Sequence, residues 1–439
     1  MDIGHNITVL AKASLWKLAI IFIFLALLNT IIFGFTHTPS WQDASEYSSY
    51  ATSISSGHGY TLDGKTTSIH REPGYPLFVA LFYKIFGNEN VAAVFFMQAI
   101  LLGLVSLLCY LTFLKLDYPR IGLLAGMVVA IFPLYGYYAG ELLTEMLFTF
   151  LLVLIFYCIF LLLQTVGSYE KYLLSSIIGL LCGYITLVRV QFLFFLPLTA
   201  IVFLIVKEYR HLFKEILLLL VIFLMILNGW VLYVYTHTGE VTLTEGRQGA
   251  VLYSRVARIE LSYADQVHYL LMWLSRSIPG SDAEHDPILS RYGWTGTSQV
   301  YEKIATSPEV IAKIKAENIN TIIENPGRYL FGNAVELVKL LYLEHVPSPI
   351  LGPVFRATLY TALYIWFIFG VVQLIRPTKK QKLKMVQGLL LFFIVYNIAT
   401  LTFLDTIPRY NIPYLVFFVL VGFVGLAIVQ KEQKYLTSL

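Results

Sequence analysis

Residues 90–114, NVAAVFFMQAILLGLVSLLCYLTFL, run without a single Asp, Glu, Lys or Arg. Coiled as an α-helix at about 1.5 Å per residue, that stretch is long enough to cross a hydrocarbon layer of about 30 Å. Comparable blocks occupy residues 15–35, 121–138, 142–164, 172–188, 192–206, 216–235, 355–375, 385–404 and 410–429. The pattern predicts an all-α polytopic membrane protein with about ten crossings. Composition agrees: of 439 residues, 57% are apolar or aromatic and 13% are charged, and the mean hydropathy is +0.71. Average soluble domains carry about 25% charged residues, so a single water-soluble globule is excluded. The net charge of +4 is scattered and lacks a basic tract, which leaves nucleic acid without a footprint. Cys109, Cys158 and Cys182 fall inside apolar blocks and read as small packing residues. The first block follows Lys12 and Lys17, is long and lacks a small-residue cleavage site, and it reads as a retained helix.

An even number of crossings puts both termini on one side. Lys12, Lys17, Lys115, Arg120, Lys171, Lys207, Arg210, Lys214 and Arg376 then share a face with Lys379, Lys380, Lys382 and Lys384, and that face is expected to be cytoplasmic. Two long outer insertions result, 36–89 and 236–353. They divide the chain into an N-terminal membrane module (1–235), an extracytoplasmic insertion (236–353) and a C-terminal membrane module (354–439). The second insertion reads as helical, because Ser307-Pro308-Glu309 and Asn325-Pro326 each set a capping residue before a proline at a first helical position. After Pro326, the residues Tyr329, Leu330, Leu337, Val338 and Leu341 follow helical spacing.

The first insertion carries the chemistry. Trp41, Ala44, Tyr47, Ala51 and Ile54 recur at three- and four-residue intervals until Gly57 and Gly59, which predicts an amphipathic helix. Asp43, Glu46 and Tyr50 fall on another face, where two carboxylates side by side suit acid–base work. A second reading of the same residues makes Ser40-Trp41-Gln42-Asp43 a capping box, with Asp43 as a helix cap. The run His70-Arg71-Glu72-Pro73-Gly74-Tyr75-Pro76 forms a rigid turn, after which Leu77, Leu81, Ile85 and Phe86 make one helical stripe.

Asp43-Ala44-Ser45-Glu46-Tyr47, Gly57-His58-Gly59-Tyr60 and Arg71-Glu72-Pro73-Gly74-Tyr75-Pro76-Leu77-Phe78 together resemble the first periplasmic loop of type C membrane glycosyltransferases. The similarity is to the branch containing protein O-mannosyltransferases and lipid A aminoarabinose transferases. Glu141-Leu142-Leu143-Thr144-Glu145, Gly183-Tyr184-Ile185-Thr186-Leu187-Val188-Arg189 and Pro408-Arg409-Tyr410-Asn411-Ile412-Pro413 resemble later motifs of that family, as does Asn325-Pro326-Gly327-Arg328-Tyr329-Leu330.

The resemblance implies the GT-C architecture and an inverting transfer of a sugar from a polyprenyl-phosphate donor. The acceptor would be a glycan, a lipid or a protein outside the membrane, by analogy the bacterial inner membrane. It implies Asp43 as the base and Glu46 or Glu145 as groups that orient the acceptor. Arg71, Arg189 and Arg409 would hold the departing phosphate, since a guanidinium offers a planar fork of donors and stays charged. Arg247, in Thr244-Glu245-Gly246-Arg247-Gln248-Gly249, is a further candidate. Tyr47, His58, Tyr75, Glu141 and Tyr410 complete the expected substrate site. The residues alone also allow arginines that snorkel to lipid phosphate or pair with Glu141, Glu145 or Asp405, and a belt of interfacial tyrosines. A divalent metal ion stays open: His37, His58, His70, His237, His268, His285 and His345 and the cluster Asp282-Ala283-Glu284-His285-Asp286 lack the regular spacing of a structural zinc site. The alternative is a transporter or flippase for an amphipathic lipid, which would place ionisable residues near the midplane and show repeated halves. Neither feature is evident in the sequence.

Overall fold

The computed structural model describes residues 15–35, 42–244, 261–275, 316, 319–341, 352–375, 381–403 and 408–436. Its helices are α1 (Leu15–Phe33), α2 (Gln42–Ser55), α3 (Gly74–Phe86), α4 (Val91–Lys115), α5 (Pro119–Ala130), α6 (Pro133–Ala139), α7 (Glu145–Leu162) and α8 (Ser168–Val188). They continue with α9 (Phe195–Ile205), α10 (Phe213–Thr238), α11 (Tyr263–Ser275), α12 (Pro326–Leu341), α13 (Pro353–Leu374), α14 (Gln381–Phe403) and α15 (Leu415–Leu436). Each of the ten predicted stretches contains a helix, but among the described residues seven are long and apolar enough to span, or eight if the bent pair α5–α6 counts as one. The other two fall short. Helix α9 has eleven residues, about 16 Å of rise, and the apolar part of α14 is confined to Met385–Thr400, about 24 Å.

The middle of the bundle is α7 and α15, whose apolar stretches are 78% and 89% buried, while α1 at 22% lies on the periphery. Around them α4 packs on α5, α8 on α10, and α13 on α15. The three cysteines are free and buried.

The predicted single span 121–138 is two helices, α5 and α6, bent by 51°. Pro133 lacks the N–H that would continue the ladder and drives Phe132 to extended backbone. The break is bridged from α1: Asn29 Nδ2 donates to Ala130 O at 3.0 Å and to Phe132 O at 2.9 Å, the latter also accepting from the backbone N–H of Tyr135 and Gly136. Close approach makes that reach possible. A Cβ on Gly136 would meet Asn29 Oδ1 at 2.5 Å.

The break also moves the start of the next helix. The predicted span from Leu142 begins instead at Glu145, so Glu141 lies in the preceding turn and does not share a helical face with Glu145. The expected stripe Leu77, Leu81, Ile85 and Phe86 lies on the outside of α3, whereas Gly74, Tyr75, Val79, Ala80, Phe82 and Tyr83 face inward. Here glycine is required. A Cβ on Gly74 would sit 2.7 Å from the backbone of Leu187 and Val188, so α3 begins directly on the end of α8. Tyr184 Oη closes the joint by donating to Gly74 O at 2.9 Å.

Replacing Asn29 by Leu removes the side-chain donor from the buried Ala130 carbonyl and one of three donors from Phe132 O, a loss of about 1–3 kcal/mol. The expected outcome is a clear drop in Tm of the detergent-solubilised protein, against little change for Leu28→Ala on the exposed side of the same helix.

Candidate active site

Five elements converge at the end of the bundle where α2, α3 and the last turn of α8 meet. The amphipathic pattern places Asp43 and Glu46 one turn apart on α2, with Ala44, Tyr47 and Ala51 turned into the core. Arg71, three residues before α3, reaches back across them. Its Nε donates to Glu46 Oε2 at 2.5 Å and its Nη2 to Asp43 Oδ1 at 2.5 Å. Arg409, in the 3-10 turn Pro408–Tyr414, donates to the other oxygen, Asp43 Oδ2. Asp43 therefore has a guanidinium on each oxygen. Ser40 and Trp41, on which the capping-box reading depends, lie outside the described residues.

A second pair abuts the first. Helix α8 ends at Val188, and Arg189 leaves in extended backbone with its side chain against the start of α7. Its Nε donates to Thr144 Oγ1 at 2.7 Å and its Nη2 to Glu145 Oε1 at 2.5 Å. Glu145 is 1% exposed and lies in the first turn of α7, where the helix dipole favours a negative charge. Arg409 Nε stands 3.8 Å from the same Glu145 oxygen and joins the two pairs. Tyr410 lies beneath both cations, 4.8 Å from the Arg189 guanidinium carbon and 5.4 Å from that of Arg409. Phe148 flanks Arg189 at 5.4 Å.

The cluster is thus not the bare cationic pocket that phosphate binding by itself would suggest. Three guanidinium groups face three carboxylates, Asp43, Glu46 and Glu145, and the formal sum is zero. Burial by itself pulls the Arg71 guanidinium down, but Tyr47, Asp43 and Glu46 outweigh it and hold Arg71 above its ordinary range. It stays charged at any working pH. Open valences remain: Nη1 of Arg71, Nη1 of Arg189 and Oε2 of Glu145 are buried and find no hydrogen-bond partner among the described residues. Each such group costs about 1–3 kcal/mol unless a ligand or water completes it.

The remaining candidates divide. Tyr47 carries the Arg71 guanidinium over its ring at 5.3 Å. Tyr75 supports Tyr47 edge-on at 4.9 Å and commits its hydroxyl to Gln98 Oε1 at 3.0 Å, fully buried. Glu141 is buried, and its carbonyl accepts from Gln98 Nε2 at 2.7 Å. His58 is exposed in the turn between Gly57 and Gly59, both at positive φ, and no described interaction brings it to the cluster. Tyr50, expected beside the carboxylates, instead turns under the loop and bonds Ser68 Oγ at 2.9 Å. Arg247 and the cluster 282–286 lie outside the described residues. Two residues were missed. Thr144 anchors Arg189, and Gln98 holds the carbonyls of Ala139 and Glu141 in the turn that presents Thr144 and Glu145. A lone amide inside the apolar run FFMQAILL was the available signal for Gln98.

The described residues of this cluster do not assemble a divalent-ion site. Among the described residues no three His, Cys, Asp or Glu side chains group as ligands. The carboxylates of the cluster are already neutralised by guanidinium groups that a dication would repel.

Comparison with known proteins bears on the fold that carries this cluster. Residues 70–233 match the family model described as dolichyl-phosphate-mannose-protein mannosyltransferase. Among solved structures, the archaeal oligosaccharyltransferase AglB from Archaeoglobus fulgidus, in complex with an inhibitory peptide and a dolichol-phosphate, superposes with a TM-score of 0.55 at 13% identity. The match covers 97% of this chain and 51% of AglB, so the chain spans about half the length of that relative. ArnT from Cupriavidus metallidurans, bound to undecaprenyl phosphate, is also similar, with a TM-score of 0.44 at 13% identity over 93% of this chain and 77% of ArnT. No curated protein matches by sequence. The chain has the all-helical GT-C fold of membrane glycosyltransferases.

Arg189→Ala is expected to destabilise the protein by about 3 kcal/mol, because it leaves the buried Glu145 with only the longer contact to Arg409. The double variant Arg189→Ala/Glu145→Ala should recover part of that loss. Thermal melts of the single and double variants measure the coupling.

Proposed function

We propose that the cluster around Asp43 is the active site of an inverting glycosyltransferase that draws its sugar from a polyprenyl-phosphate carrier. The observation that carries this reading is the double hold of Arg71 and Arg409 on Asp43, with the Arg189–Glu145 pair beside it. Phosphate binding and a general base thereby share the same donors. In the ligand-free protein both Asp43 oxygens are taken by guanidinium groups, a state that suppresses basicity. A donor phosphate competes for those N–H groups and also finds the open Nη1 atoms of Arg71 and Arg189. As Arg409 turns to the phosphate, Asp43 regains an oxygen for the acceptor's proton.

In the transfer, the acceptor oxygen attacks the anomeric carbon from the face opposite the phosphate. The carbon–oxygen bond to phosphate breaks, and its electron pair leaves on the phosphate. Asp43 takes the acceptor's proton. The departing phosphate is already a stable anion held by arginine, so no general acid is needed. Glu46 and Glu145 fix the arginines and orient the acceptor.

The transferred group is a hexose or a pentose, and the membrane is the bacterial inner membrane with the site facing the periplasm. The basic residues at the other end of the bundle support this orientation. Lys115 closes α4, Arg120 opens α5, and Lys207 and Arg210 lie between α9 and α10. In the proposed donor site Arg71, Arg189, Arg409 and Tyr410 hold the phosphate, while Tyr47 and Tyr75 support Arg71.

Two measurements test the mechanism. Asp43→Asn should lower transfer of radiolabelled sugar from a polyprenyl-phosphate donor by about 10²–10⁴-fold. The same variant should bind polyprenyl phosphate more tightly than the wild type, because the carboxylate that competes for Arg71 and Arg409 is gone. Transfer at the wild-type rate, or weaker binding of the carrier, would remove Asp43 from the proposed role.

A further inference from the structure

Arg189 and Arg409 reach the cluster from distant parts of the chain, and neither stands inside an α-helix. Arg189 is the extended residue between α8 and the 3-10 turn Val190–Phe192, and Arg409 lies in the 3-10 turn Pro408–Tyr414. Groups that must act together on one ligand need a supporting layer that fixes their spacing.

Two neighbouring side chains of α14 reach both segments. Tyr396 Oη donates to the carbonyl of Gln191 at 2.6 Å, two residues past Arg189. Asn397 Nδ2 donates to Asn411 Oδ1 at 3.1 Å, two residues past Arg409. Successive positions on an α-helix diverge by about 100°, so adjacent residues can hold two different segments at once. Tyr396, Asn397 and Asn411 are all buried. Phe192 and Phe195 meet the Tyr396 ring edge-on at 5.9 Å and 5.2 Å, which fixes the direction of its hydroxyl.

We propose that Tyr396 and Asn397 are positioning residues for the carrier's phosphate, one holding the Arg189 segment and the other the Arg409 segment, so that α14 sets the distance between the two guanidinium groups. This rests on the donor-site reading and adds what keeps the site's shape while its ion pairs are exchanged. A phosphate competes with Asp43 for Arg409 and with Glu145 for Arg189, and so loosens the contacts that hold those cations in the ligand-free protein. The bonds from Tyr396 and Asn397 join neutral, buried groups and have no charge to trade. They persist through the exchange, and the Arg409 side chain turns from Asp43 Oδ2 to the phosphate on a backbone that stays in place. Spacing matters because a displacement of about 1 Å in a binding group can cost about 100-fold.

The test compares three variants of the full chain in lipid nanodiscs. Tyr396→Phe and Asn397→Leu each remove one of the two bonds with little change of shape. Thr400→Val is the control: Thr400 is buried one turn on, and its hydroxyl donates to the carbonyls of Tyr396 and Asn397 within α14. Titration with undecaprenyl phosphate should show binding weakened about tenfold in Tyr396→Phe and in Asn397→Leu, but within about twofold of wild type in Thr400→Val, even where all three lower Tm alike. A second measurement needs no ligand. In arginine-labelled ¹⁵N spectra, with the Nε–H signals assigned through Arg189→Lys and Arg409→Lys, Tyr396→Phe should move the Arg189 signal and Asn397→Leu the Arg409 signal, while Thr400→Val moves neither. Wild-type affinity in either of the first two variants, an equal loss in Thr400→Val, or arginine signals that stay in place would overturn the proposal. If the wild-type protein does not bind undecaprenyl phosphate, the donor reading falls, and the arginine signals alone decide whether α14 sets their spacing.

Discussion

The structure turns on one carboxylate shared by two guanidinium groups. Asp43 and Arg409 are 366 residues apart in the chain, and their contact ties the first outer helix to the turn before the last one. Through Arg71 the same carboxylate reaches the start of α3, and through Arg409 it reaches Glu145 and Arg189 at the heads of α7 and α8. Each of these charges alone would be expensive at a helix end facing lipid headgroups and a packed core. Together they form a neutral set whose members hold one another in place. The cluster is therefore pre-organised yet leaves two guanidinium nitrogens open, as the proposed phosphate site would require.

The apolar scaffold supplies the precision. Gly74 lets α3 rest on the backbone of α8, which brings Arg71 and Arg189 to the same end. The break at Pro133, mended by Asn29, turns the chain so that Gln98 can grip the segment presenting Thr144 and Glu145. These are backbone accommodations far from any reacting atom. They set where the ionic residues can stand.

Much of this was legible in the residues before the coordinates. Long apolar blocks reveal helices because lipid leaves the backbone no other way to satisfy its hydrogen bonds. Asp43, Glu46, Arg71, Glu145, Arg189 and Arg409 stood out because charge is rare among so many apolar neighbours. Pairing was legible only in part. The residues allowed an arginine to pair with Glu141, Glu145 or Asp405, and Arg189 does meet Glu145, but nothing in a linear pattern says that Arg409 would meet Asp43. The early end to helix at Glu141 was hidden because hydropathy does not register a kink, and Thr144 and Gln98 because single polar residues in apolar runs look alike until their partners are known. Tyr50 shows the converse: its spacing put it beside the carboxylates, and ring stacking with Tyr60 took it elsewhere.

Asp43 and Arg409 are separated by most of the chain, so a polypeptide emerging from the ribosome carries the carboxylate long before it carries this guanidinium. Helices α2 to α8 can pack while Asp43 still lacks one of its two partners. The ion cluster at this end of the bundle therefore closes late in synthesis, as a seal on helices already in place.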